Sequence, residues 1–255
     1  MGVRVDLTGR RALVTGASSG IGAETCRSIV ACGGSVAMLA RRKERLDELR
    51  DELGDRALAV PCDVTALEAL ETAVGEAARA LGGLDAVIAV AGKSMVGSIA
   101  SGTPQVWRDL LDLNLIGPLA TVRYAIGHFS ESGRRDIVLV GSTGAITPVP
   151  GVAIYSASKR GLRAAFDALR LEMAPSGINT TLVMPGMFDT EGLTVDAVTI
   201  DGDVPQGASD IPMFVGGGGP APAGPLADTI AFAIGLPDGV CINELVVRPT
   251  GQLNP

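Results

Sequence analysis

The chain has 255 residues, of which 47% are hydrophobic, 19% charged and 3% aromatic; its mean hydropathy is +0.34 and its formal net charge −7. That apolar content fills a sizeable core and excludes a disordered chain, while no apolar run approaches the roughly 20 residues that span a bilayer. Charge is uneven: residues 1–170 carry 20 Lys/Arg against 18 Asp/Glu, and residues 171–255 carry Arg248 alone against 10 acids, a balance that argues against nucleic acid, whose phosphates call for clustered Lys and Arg.

The opening Met-Gly-Val-Arg-Val-Asp lacks the apolar core of a signal peptide, and Asp6 stands where a myristoylation motif needs Ser or Thr. The expectation is a soluble, cytoplasmic protein with no membrane partner. Cys26, Cys32, Cys62 and Cys241 show no CxxC spacing and read as buried free thiols. The single histidine, His128, reads as an apolar helical position, and one histidine cannot build a metal site; no metal is expected.

In chain order, the first half predicts a strand over 11–14, a helix over 21–32, a strand over 35–40, a charged helix over 43–52, a strand over 57–61, a helix over 66–81 and a nearly continuous apolar strand over 84–91. Two helices follow over 104–111 and 115–130, then a strand over 136–140, a long helix over 153–173 and a strand over 179–184. A helix over 226–234 and a strand over 244–247 end the series. Runs such as Ala-Val-Ile-Ala-Val lack alternation, as strands covered on both faces do. Repeated β-α-β units with right-handed crossovers make an α/β protein: a single Rossmann-type domain over 1–255, a doubly wound parallel sheet with helices on both faces. One segment breaks the rhythm. Residues 191–225 are rich in Gly and Pro, and a loop that long inside a compact domain reads as either a surface insertion or a lid over a substrate pocket.

The first strand runs into Thr15-Gly16-Ala17-Ser18-Ser19-Gly20-Ile21-Gly22. Glycines at 16, 20 and 22 permit a tight turn, close approach to a pyrophosphate and close helix packing, and the helix N-terminus offers N–H groups and positive dipole to the anion. The spacing, GxxxGxG, is one residue longer in its first interval than the common dinucleotide fingerprint. The second strand closes on uncharged Ala40 followed by Arg41, Arg42 and Lys43. An acid there would hold ribose hydroxyls and repel a 2′-phosphate, whereas arginines clasp one in a planar fork, which favours NADP(H) over NAD(H). In Cys62-Asp63-Val64, after strand three, Asp63 is placed either to accept from an adenine amino group or to cap a turn.

Tyr155 and Lys159 stand at i and i+4 on one helix face. A tyrosine of ordinary pKa about 10 is a poor acid or base near neutrality; an ammonium one turn away and an oxidised nicotinamide favour its phenolate. Ser142, thirteen residues earlier on the loop after a strand, is placed to hold a substrate carbonyl oxygen beside the tyrosine.

With these motifs in order, the chain resembles the short-chain dehydrogenase/reductase family over nearly its whole length. Thr15 to Gly22 match the family's TGxxxGIG turn; Ser142, Tyr155 and Lys159 its catalytic serine, tyrosine and lysine; Asn114 the asparagine of its tetrad; and Pro185-Gly186-Met187-Phe188-Asp189-Thr190 its PGxxxT motif. The resemblance implies that this last stretch, through Pro185, Gly186, Phe188 and Thr190, holds the nicotinamide carboxamide. It also implies that Lys159 binds the nicotinamide ribose, that Asn114 positions a water linking Lys159 to solvent, and that the protein is a homodimer or homotetramer. One departure stands out. Where the family has Asn-Asn-Ala-Gly, this chain has Ala89-Val90-Ala91-Gly92, which keeps the backbone approach at Ala91 and Gly92 but puts the rigidity of neighbouring loops in doubt.

The implied reaction is hydride transfer between NADPH and a ketone or secondary alcohol. The family places substrate choice after the PGxxxT motif, here a stretch with Glu191, Asp196, Asp201, Asp203 and Asp210 and no Lys or Arg. Met187, Phe188, Met213 and Phe214 offer an apolar lining, and Lys93, Ser94 and Val149 join Met187 as candidate substrate contacts. The expectation is a neutral or cationic apolar small molecule, with Lys93 a contrary cation; a solvated acidic loop with no say in selectivity is the alternative. An epimerase or dehydratase that uses bound nicotinamide transiently would act without net cofactor turnover. A non-catalytic dinucleotide-binding regulator would have no need of Ser142, Tyr155 and Lys159 together.

Overall fold

Seven parallel strands form the central sheet of the computed structural model, which describes residues 5–131, 133–147, 149–191, 199–205, 214–215 and 218–253. The chain runs β1 (Arg11–Thr15), α1 (Gly20–Ala31), β2 (Ser35–Ala40), α2 (Lys43–Leu53), β3 (Ala57–Pro61), α3 (Leu67–Leu81) and β4 (Ala86–Ala89). It continues through β5 (Met95–Val96), α4 (Pro104–Leu111), α5 (Gly117–Ala125), β6 (Arg135–Val140), α6 (Ala153–Met173), β7 (Ile178–Pro185) and β8 (Phe188–Asp189). Then come β9 (Thr199–Ile200), β10 (Ala221–Pro222), α7 (Gly224–Ile234) and β11 (Glu244–Val247). The sheet order is β11-β7-β6-β4-β1-β2-β3. The chain therefore builds outward from β1 to β3, returns across the sheet, and builds the other way from β4, leaving a switch point between β1 and β4.

Period-two alternation explains why helices cover both faces. Ala12, Val14, Met38, Ile88, Val138 and Val183 face one layer, where they pack with Cys26 and Ile29 of α1 and Leu226 and Ile230 of α7. Leu13, Leu39, Val87, Ile137, Leu139 and Leu182 face the other, with Leu70 and Val74 of α3, Val122 of α5, and Leu162 and Phe166 of α6. Covered on both sides, the central strands show no polar alternation. The edge strand β11 alternates exposed and half-buried, as a strand with one open face must.

Two expectations need correcting. The predicted helices over 104–111 and 115–130 are joined: a π-helical turn, Asp112–Ile116, continues α4 into α5 without leaving right-handed helical backbone. Gly127 and His128 then lie in a short 3₁₀ turn, and His128 is exposed rather than apolar. All four cysteines are free, Cys26 and Cys62 buried, Cys32 and Cys241 half-buried. No group of His, Cys, Asp and Glu among the described residues would hold a metal, and no described helix is long and apolar enough to cross a membrane.

The N-terminal ends of the strands carry the buried ion pairs. Arg134 grips Asp136 with two bonds of 3.0 and 2.7 Å, and Arg10 donates to the same carboxylate at 2.5 Å. Arg134 also donates to the carbonyls of Ala233, Pro237 and Val240, tying the end of α7 to β6. With side-chain exposures of 6% and 2% the Arg134–Asp136 pair is dry. Removing one partner strands a buried charge. Arg134→Met is expected to cost about 3 kcal/mol in urea unfolding; a loss under about 1 kcal/mol would mean that Arg10 alone satisfies Asp136.

Candidate active site

The loops at the C-terminal ends of β1, β4, β6 and β7 enclose a cleft at the switch point. Its larger part, about 660 Å³, runs from Arg41, Arg42, Asp63 and Val64 past the glycine-rich turn to Gly92. A smaller part, about 140 Å³, is walled by Ser94, Ser142, Tyr155, Lys159, Pro185 and Phe188. Ile21, Gly92 and Thr190 line both, so the two open into one another.

Close backbone approach shapes the larger part. Gly16 has a φ of +68°, and a Cβ there would lie 2.9 Å from the Cα and N of Ala91; any side chain would push β1 and β4 apart. A Cβ on Gly22 would overlap the Gly16 carbonyl. Ser19 precedes α1 in extended backbone and makes no side-chain cap, which leaves first-turn N–H groups directed to the cleft for an anion. Thr15, which opens the glycine-rich turn but is not itself read as a site residue, anchors the loop after β4. Its Oγ1 accepts from the backbone N–H of Val90 at 3.1 Å and of Ala91 at 3.2 Å.

The two arginines after β2 differ. Arg41 is 73% exposed and meets Asp63 only at 3.8 Å. Arg42 donates to the hydroxyls of Ser18 at 3.0 Å and Ser19 at 2.8 Å and pairs with Glu191 at 2.7 Å. The arginine and the Ser19 hydroxyl hold the Glu191 carboxyl down at about 2. Asp63 accepts from the backbone and hydroxyl of Thr65 at 2.9 and 2.8 Å, so it caps a turn while lining the cleft.

At the other end, Tyr155 and Lys159 come off α6 one turn apart, and Ser142 comes off the end of β6, where its Oγ accepts from the Gly144 N–H at 3.0 Å. Tyr155 shares the wall of the smaller cavity with Ser142 and Ser94; burial pushes its pKa above the ordinary phenol value, and the two serine hydroxyls pull the other way. Lys159 is 5% exposed and donates to the Val140 carbonyl at 3.1 Å; burial pulls its pKa down to about 8. Lys159 is not among the groups that shift the phenol: burial sets the direction, and only the two serine hydroxyls oppose it.

Asn114 sits in the π turn, fully buried, the kind of helix distortion that aims a side chain off the regular ladder. Its amide closes a two-way clasp on the backbone of Lys93, accepting from N–H and donating to C=O at 2.9 Å each, and it reaches Ser158 Oγ at 3.2 Å. Gln252, also unread in the sequence, accepts from the Met187 N–H at 2.8 Å and steadies the loop after β7. Thr15 is marked only as the start of the glycine-rich turn and Gln252 by no local pattern; each acts through a distant backbone.

Of the candidate substrate contacts, Lys93 and Ser94 line the cleft, whereas Val149 and Met187 are absent from its wall. Asp201 is not a pocket charge. It is 7% exposed and accepts from the Thr103 N–H at 2.7 Å and from Trp107 Nε1 at 3.0 Å, beside the β5–β9 pairing. The irregular segment ends at α7, which begins at Gly224. Asp196, Asp210 and Met213 lie outside the described residues. Thr15→Val, which keeps the shape and removes the acceptor, is expected to lower stability by about 2 kcal/mol in urea, with Thr15→Ser near wild type; equal losses in both would mean packing and not the hydroxyl holds β4.

Comparison with known proteins agrees with this geometry. A glycine betaine reductase of Emericella nidulans is 32% identical over 254 residues, covering 96% of this chain and 19% of that protein, so the chain spans about a fifth of that relative's length. A short chain dehydrogenase of Burkholderia cenocepacia solved in complex with NADP superposes with a TM-score of 0.82 at 30% identity, covering 95% of this chain and 97% of that one. A 3-ketoacyl-(acyl-carrier-protein) reductase of Brucella melitensis complexed with NADH gives 0.82 at 28%, covering 95% and 98%. The family model for short chain dehydrogenases matches residues 10–197, and the chain belongs to that family.

Proposed function

We propose that the protein is an NADP(H)-dependent oxidoreductase acting on a ketone or secondary alcohol that is apolar and either neutral or cationic. The observation that carries this reading is the Tyr155 side chain, set beside the hydroxyls of Ser94 and Ser142 in a small cavity that opens onto a cleft bordered by a glycine-rich turn and a helix N-terminus without a side-chain cap. Gly16, Ser18, Ser19, Gly20, Ile21 and Gly22 would hold the pyrophosphate. Arg41 and Arg42 would hold a 2′-phosphate, Asp63 and Val64 the adenine, and Ala91 and Gly92 the adjoining backbone approach. Pro185, Gly186, Phe188 and Thr190 would hold the nicotinamide, and Lys159 its ribose. Family members solved with NADP and with NADH support a nicotinamide dinucleotide here, and the basic residues after β2 favour the phosphorylated form.

When bound, the nicotinamide supplies or takes the hydride. In the reductive direction Tyr155 gives its proton to the carbonyl oxygen as the carbon is reduced; burial keeps the phenol protonated near neutral pH, the state a donor needs. Ser142 donates to the same oxygen as charge gathers on it. Lys159, charged below about pH 8, favours the tyrosinate left behind, and Asn114 holds the Lys93 backbone beside that site. Val90, Val140 and Phe188 line the reacting end and suit an apolar substituent. Similarity to a relative named for glycine betaine, a quaternary ammonium compound, supports the cationic option.

Tyr155→Phe is expected to lower carbonyl reduction at least about 100-fold with NADPH binding retained by fluorescence; a loss below about tenfold would remove Tyr155 as the proton donor. A panel in which acyl thioesters are the best substrates would overturn the substrate class. The kcat/KM for reduction should fall as pH rises through about 8, because Lys159 sheds its proton there; a profile flat to pH 10 would separate the lysine from the reaction.

A further inference from the structure

Arg41 and Arg42 are neighbours in sequence with opposite circumstances. Arg41 extends into solvent, whereas Arg42 has its Nε–Nη2 edge taken: Nε and Nη2 both reach Ser18 Oγ, at 3.2 and 3.0 Å, and Nη2 also reaches Ser19 Oγ and Glu191. A guanidinium grips a phosphate through paired donors of this kind. We propose that Glu191 sets the strength of the dinucleotide preference by competing with the 2′-phosphate for Arg42.

This inference rests on the NADP(H) reading above. Glu191 is held in place to compete, because Thr190 beside it packs over the glycine-rich turn: a Cβ on Gly20 would lie 3.0 Å from the Thr190 side chain. Glu191 lines the same cleft as Ser18, Ser19 and both arginines, and its ion pair sets it on an arginine assigned to the 2′-phosphate. The Arg42–Glu191 pair is exposed, 43% on one side and 47% on the other, so it is weak enough to exchange for a dianion. A dinucleotide without the 2′-phosphate makes no demand on Arg42 and leaves the pair intact. Arg41, whose one ion pair among the described residues is the long contact to Asp63 at 3.8 Å, meets the phosphate without giving up so close a partner. Glu191 therefore lowers affinity for the phosphorylated dinucleotide selectively.

The test is titration of the full chain with NADPH, NADH and adenosine 2′,5′-bisphosphate, in wild type, Glu191→Gln, Arg42→Met and the double variant, with Glu191→Ala as a second removal of the charge and thermal unfolding to confirm folding. Glu191→Gln is expected to tighten NADPH and the bisphosphate about three- to fivefold, the upper range of one exposed ion pair, and to move NADH by less than about twofold. In the Arg42→Met background the same change should have no effect on NADPH. Equal tightening of NADPH and NADH, or an effect that survives Arg42→Met, would overturn competition for the arginine. A wild type that prefers NADPH with a ratio unmoved by Glu191→Gln would defeat this inference alone. A wild type that prefers NADH would defeat the NADP(H) reading beneath it.

Discussion

The arrangement hangs on one contact between two stretches of backbone. Where β1 ends and the chain leaves β4, Gly16 and Ala91 meet with no room for a Cβ between them, and the Thr15 hydroxyl ties the same two loops by accepting from Val90 and Ala91. This contact sits at the switch point of a doubly wound sheet, where helices leave in opposite directions and a cleft opens. The glycine-rich turn, the cavity it borders and the approach of Gly92 to Asn114 and Lys159 all follow from that closeness.

Stability and chemistry are placed at opposite edges of the sheet. At the N-terminal edge, Asp85 and Asp136 each receive arginine, so buried charge there is matched. At the C-terminal edge, Lys159 is buried against a single backbone carbonyl and Tyr155 is half-buried beside two serine hydroxyls. No carboxylate neutralises the lysine among its described partners, and burial alone displaces its titration. Titratable groups displaced by burial without a neutralising partner are the kind that the proposed proton transfer uses.

The loop after β4, which lacks the asparagine pair, is anchored by side chains from other elements. Anchoring that loop requires acceptors for its N–H groups, and Thr15 supplies them from the neighbouring strand while Asn114 clasps Lys93 from a π turn. Asp201, one of the acids that gives the C-terminal third its charge, is spent in the same way, on Thr103 and Trp107. A net charge summed over a loop therefore says little about the field in a pocket.

The layered sheet, the glycine-rich turn and the Tyr155–Lys159 pair were legible in the sequence because each depends on local spacing: period two for strands, an i,i+4 step for one helix face, a strand-turn-helix order for the anion cradle. Element bounds over the central sheet shifted by only a residue or two for the same reason. What spacing could not carry were contacts between residues far apart in the chain. Thr15 with Val90, Asn114 with Lys93, Gln252 with Met187 and Arg42 with Glu191 are all such contacts, and no periodicity encodes them. Nor could the sequence separate Arg41 from Arg42, or a buried anchoring aspartate from a pocket charge, because charge type is fixed by the residue while its availability depends on what the fold brings against it. The sequence by itself determined the architecture and the chemical groups at the site; the tertiary structure decided which of those groups stay free to act, since only packing sets burial and partners.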